Sequence, residues 1–107
     1  MSEWKIVYDP RAIDDLKKLD GSQVVMVRKA IGKVATNPLP YTEGGLGKPL
    51  GNHANSALSG LLKIKLKKLG IRVVYKLVRT KGQMYILVIG MRCDDEVYEE
   101  AQKRYQG

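Results

Sequence analysis

The sequence predicts an α+β domain: an antiparallel sheet of about four strands in the order β-α-α-β-β-β-α, with an N-terminal helical hairpin on one sheet face and a helix closing the chain. Three observations carry this reading. Leu62, Ile64 and Leu66 alternate with Lys63, Lys65 and Lys67, the period of two of a strand with one face in a core and one in water. Earlier in the chain Ala12, Ile13, Leu16 and Leu19, and then Val24, Val27, Ile31, Val34 and Ala35, recur at helical spacing. A length of 107 residues suits one core and one domain, spanning 1–107.

Taken in order, Trp4 to Tyr8 is a run of β-formers and reads as the first strand. Asp9-Pro10 starts a helix, with Asp as N-cap and Pro at the first helical position. Gly21 is expected to stop that helix and Ser22 to cap the next, which ends at Thr36-Asn37-Pro38 because a residue before proline resists helical geometry. Residues 37–57 are rich in Gly, Pro and Asn and read as a long loop; its first half carries no chemical signature, and no Lys-Ser/Thr follows its glycines as a phosphate-binding loop requires.

Lys67-Lys68-Leu69-Gly70 turns the chain back into Ile71–Tyr75, Gly70 supplying the positive φ. A two- or four-residue loop keeps the same parity, so Arg72, Val74 and Lys76 are expected on the face of Lys63 and Lys65. Lys81-Gly82 makes a second turn, and Met84–Met91 is apolar enough for a strand buried on both faces, with Arg92 at its end. Asp94, Asp95 and Glu96 supply the start of a final helix, with Tyr98, Ala101 and Tyr105 on one stripe and Lys103 and Arg104 near its end. The cation-bearing sheet face is expected to lie open as a shallow concave site.

Charge points the same way. The formal net charge is +8, and between Gly44 and Cys93 ten Lys and Arg residues occur with no Asp or Glu, all eleven acids lying outside that span. A one-signed surface of this kind suits a polyanion, nucleic acid first and anionic membrane second; the bland alternative is a solvated sheet face. No apolar run approaches a membrane span and Met1–Lys5 lacks the apolar centre of a signal peptide, so a cytoplasmic protein without a membrane partner is expected. One cysteine, Cys93, and one histidine, His53, allow neither an internal disulfide nor a Cys/His zinc site. No metal or cofactor is expected.

The cationic stretch contains no Asp, Glu or His, and so lacks the usual acid and base pairs of hydrolases. Lys63, Lys65, Arg72, Arg92 and Tyr98 instead suit a phosphodiester: cations stabilise charge building on a phosphorane, and a lysine among cations has its pKa lowered toward base duty. RNA brings its own nucleophile, the 2′-hydroxyl, and a tyrosine can stack a splayed base. Lys67, Lys68, Lys76, Arg79 and Lys81 are candidates for further contacts with RNA or a ribosome.

Lys63-Ile64-Lys65-Leu66, Gly70-Ile71-Arg72-Val73-Val74-Tyr75, Ile89-Gly90-Met91-Arg92 and Glu96-Val97-Tyr98, with their spacings, resemble the RelE family of toxins from bacterial toxin–antitoxin pairs. The resemblance covers nearly the whole chain. It implies a RelE-like fold and a metal-independent, ribosome-dependent endoribonuclease that cuts mRNA in the A site and inhibits translation. It also implies a cognate RelB-like antitoxin, and operator DNA as a partner of the toxin–antitoxin complex in transcriptional autoregulation. By the same resemblance Lys65 matches the general base, Lys63 its assistant, Arg72 the residue stabilising the transition-state phosphate, Arg92 the one serving the leaving group, and Tyr98 the one orienting or stacking the nucleotide. The chain departs from the pattern at Leu50, where a well-known member has arginine, at Leu62, where it has an aromatic, and in a longer loop. Two alternatives stand beside this reading: a ParE-like gyrase inhibitor, which shares the fold without the cationic set, and a nucleic-acid-binding module without catalysis.

Overall fold

The computed structural model describes residues 4–50, 60–91 and 94–106, the side chains of 94–96, 102 and 106 excepted. Among them β1 spans Lys5–Tyr8, α1 Pro10–Lys17, α2 Gly21–Ala35, β2 Lys48–Pro49, β3 Leu61–Leu66, β4 Ile71–Val78, β5 Gln83–Gly90 and α3 Asp94–Gln106. The sheet order is β1-β5-β4-β3-β2, with β1 parallel to β5 and every other pair antiparallel. The α+β class and the meander of β3, β4 and β5 are as expected. The sheet has five strands where about four were expected. The extra one, β2, is a two-residue edge strand ending in proline, too short to show a period.

The helical hairpin covers one sheet face. Ala12, Leu16, Val27 and Ile31 meet Leu62, Ile64, Val73, Tyr75, Met84 and Ile86 there. Asp9 caps α1 by accepting from the Arg11 backbone N–H at 2.8 Å, with Pro10 in the first turn. The junction to α2 differs from the expectation: α1 ends at Lys17, and Asp20 rather than Ser22 is the cap. Asp20 accepts from Gln23 N–H while the Gln23 side chain accepts from Asp20 N–H, so a reciprocal box won over a lone serine.

The opposite face does not lie open along its length. Leu50, Leu61, Val74, Leu87 and Val88 form a second core with Val97, Tyr98 and Ala101 of α3. Consecutive residues Leu87 and Val88 share this face because the β4–β5 register shifts between Val74 and Tyr75, and such a bulge breaks the period of two. Arg104 fastens the helix: its guanidinium donates to Asp15 at 2.7 Å, to the Leu87 carbonyl at 2.7 Å and to Glu100 at 2.9 Å. Asp15 also accepts from Ile89 N–H, so one carboxylate joins α1, β5 and α3.

Residues 37–50, expected as a loop without signature, fold onto the sheet. Leu46 N–H donates to Asn37, Gly47 N–H to Leu39 and Tyr41 N–H to Gly47. The buried Tyr75 phenol donates to the Pro38 carbonyl at 2.9 Å, and burial pushes its pKa upward. A Cβ on Gly47 would collide with that phenol oxygen and with Leu62, so a residue without a side chain is required there.

Candidate nucleic-acid interface

The β3–β4 register sets Lys65 directly opposite Arg72 and Lys63 opposite Val74. Parity alone then puts Lys63, Lys65, Arg72 and Lys76 on one face, as expected, with directly opposed Cβ atoms about 5 Å apart. Lys63, Lys65 and Arg72 are half-buried, their stems on a rigid sheet.

One further cation joins them. Lys48 of β2 is directly opposite Lys63 and is exposed, so the cationic row reaches the sheet edge. Its neighbour Leu50 is 1% exposed in the second core and donates its N–H to the Leu61 carbonyl, which holds this edge in register. In the sequence the only sign of Lys48 was membership of the acid-free span, because a two-residue strand in a Gly/Pro segment gives no face.

Tyr98 is placed beside the cluster but not as a platform. Its ring is 2% exposed, and the Lys63 ammonium lies over it, 5.6 Å from the centroid. A ring this deep in the second core leaves little surface for a base to stack on, and the Lys63 ammonium lies against it. Arg92, expected at the end of β5, lies outside the described residues, as do Cys93 and His53.

The outer basic residues separate into three groups. Lys67 and Lys68 are exposed in the β3–β4 turn, while Arg79 and Lys81 lie in the β4–β5 turn, the far end of an eight-residue strand roughly 25 Å long. Arg79 is matched by Glu43 through two bonds of 2.9 and 2.8 Å. Hydrogen bonding to Arg79 holds the Glu43 carboxyl below its usual range. Lys76 is on the same cationic face, its ammonium 5.1 Å from the Tyr85 ring centroid and 5.2 Å from that of Tyr105. Among the described residues no three His, Cys, Asp or Glu side chains converge as a metal would need.

A small α+β domain with a cation-lined sheet face is equipped to handle a phosphodiester chain. No family model matches the sequence. Over 97 residues the chain is 29% identical to the mRNA interferase toxin RelE of Escherichia coli strain K12, covering 91% of this chain and 92% of that protein. The isolated E. coli RelE toxin matches at a TM-score of 0.67 with 26% identity, covering 94% of this chain and 97% of that one. A chain of the RelBE2 toxin–antitoxin complex from Mycobacterium tuberculosis shares the fold, with a TM-score of 0.66, 23% identity and coverage of 84% and 99%. The chain is thus similar to RelE toxins, in sequence and in fold, over nearly its whole length.

Proposed function

We propose that this protein is the toxin of a toxin–antitoxin pair and acts as an mRNA interferase, cutting mRNA in the ribosomal A site in the cytoplasm without a metal. The observation that carries this reading is the Lys65–Arg72 cross-strand pair, with Lys63 two residues along the same face. It is supported by the likeness to a protein named as an mRNA interferase.

In the proposed reaction the 2′-hydroxyl of the RNA attacks the adjacent phosphorus in line. Its proton passes to Lys65, assisted by Lys63, and the bond from phosphorus to the 5′-oxygen breaks to leave a cyclic phosphate and a 5′-hydroxyl. Arg72 balances the charge on the phosphorane, and Arg92 serves the departing 5′-oxygen, which takes its proton from solvent while Lys65 later returns the one it accepted. Tyr98 acts beneath them, its ring seating the Lys63 ammonium. The Lys63 stem is thus held on two sides, by the sheet and by α3, which favours a positioned group over a mobile one.

A cognate RelB-like antitoxin is the proposed inhibitor, by analogy with the complexes named for the M. tuberculosis and E. coli relatives, and the joint complex is the proposed operator-binding species. The test is mapping of mRNA 5′ ends after brief induction. In-frame cuts within translated codons are expected, lost with Lys65→Ala or Arg72→Ala. Growth arrest that persists in Lys65→Ala and Arg92→Ala proteins without new 5′ ends would overturn the nuclease reading in favour of another target of the same fold.

A further inference from the structure

We infer that Tyr105 and Lys76 form a second station for the RNA, a subsite that takes one unpaired nucleotide flanking the cut. This rests on the proposed nuclease function and extends it to substrate positioning.

The register puts the station on the path of the strand. Lys76 lies two residues beyond Val74, the residue opposite Lys63, so it is displaced from the Lys63 row by about 7 Å along β4 on the same face. That is the reach of one extended nucleotide. Tyr105 is the second part. Unlike Val97, Tyr98 and Ala101, which are buried beneath α3, it is 43% exposed. A tyrosine serving only the core would bury its ring, whereas this one stands at the wall of a cleft of about 510 Å³ lined also by Thr42, Glu43, Leu61, Lys76 and Arg79, the Glu43 carboxylate being held by Arg79.

The Lys76 ammonium sits 5.1 Å from the Tyr85 ring centroid and 5.2 Å from that of Tyr105. Two rings hold the charge in place without neutralising it, and no carboxylate among the described residues forms an ion pair with it. A fixed ammonium beside a half-exposed ring is the pairing that binds a nucleotide without regard to its sequence: the cation takes the phosphate and the ring takes the base. The station therefore adds to positioning and leaves the identity of the base unread.

The test uses the full-length protein and ribosomes programmed with mRNAs carrying a single abasic position, moved one nucleotide at a time away from the cut. Wild type is expected to lose about 10-fold in cleavage rate when the abasic position falls on the station and little at the next positions out. Tyr105→Ala, with an unchanged melting temperature, should lose about the same on the intact message and nothing more on the abasic one. Tyr105→Phe should behave as wild type, and Lys76→Gln should weaken intact and abasic messages alike. Should Tyr105→Ala lower the melting temperature, the wild-type scan against Tyr105→Phe and Lys76→Gln decides. The inference is overturned if wild type shows no abasic-sensitive flanking position, or if Tyr105→Ala remains as sensitive there as wild type. Failure of wild type to cut any message would instead sink the nuclease reading.

Discussion

Residue by residue, the cationic face depends on the side chains packed around it. Tyr98 carries both the second core and the seat of Lys63, and its two contributions can be separated. Tyr98→Ala should cost about 3–5 kcal/mol and lower the melting temperature by on the order of 15 °C, because it opens a cavity under α3. Tyr98→Phe should keep most of the stability and, if the ring alone seats Lys63, most of the cleavage rate. Asp9 is a second such residue. Hydrogen bonds from Arg11 and from the Tyr85 phenol hold its pKa down to about 2, from an ordinary value near 3.8. A folded-state pKa below the unfolded value means that the stabilisation is complete above about pH 4 and is lost as pH falls through about 2. Asp9→Asn should therefore lower the melting temperature at neutral pH, where Arg11 loses its ion-pair partner, and flatten the acid limb of a melting-temperature profile between pH 4 and 2. A parallel shift of the whole profile would show that Asp9 acts only as a helix cap.

At the scale of elements, α3 decides how much of the face is available, and Arg104 decides where α3 lies. The Arg104 guanidinium is 9% exposed and meets Asp15 and Glu100, so removing it leaves a nearly buried carboxylate uncompensated. Arg104→Ala should cost about 3–5 kcal/mol, with faster amide exchange in α3 than in α2. Equal acceleration in both helices would mean that Arg104 supports the domain as a whole. None of this was legible in the sequence, where Arg104 read as a basic residue in the last helical turn, favoured there by the helix dipole alone; its partner Asp15 is 89 positions away. What was legible followed from local periods: the helical hairpin, the β3 alternation, and through turn parity the shared face of Lys63, Lys65 and Arg72. What was missed involved pairing without a period: the two-residue β2, the bulge that puts Leu87 and Val88 side by side, and the Asp20 box in place of Ser22.

For the whole molecule, the relevant quantity is the field, and here the order of residues in the chain misleads. Ten cations without an acid between Gly44 and Cys93 suggest one continuous patch, yet the fold returns Glu43, just outside that span, to Arg79 near its end. The cations that share one sheet face are Lys48, Lys63, Lys65, Arg72 and Lys76, whereas the charge at the β4–β5 turn is weakened by Glu43. Polyanion affinity falls with the logarithm of salt concentration by about 0.7 per single-strand phosphate neutralised. Lys48→Gln should lower that slope for ribosome association by about one contact, whereas Arg79→Gln should leave it nearly unchanged because Glu43 already offsets the charge. Glu43→Gln distinguishes this account from a simple count of lysines and arginines. The pair is half exposed, 53% for Arg79 and 44% for Glu43, so its loss should leave the melting temperature nearly unchanged. Freeing Arg79 should nevertheless tighten association at low salt and steepen the slope, through a residue that touches no substrate. Association that is unaffected by Glu43→Gln and weakened by Arg79→Gln would place Arg79 in direct contact with the ribosome and make the Glu43 pair incidental.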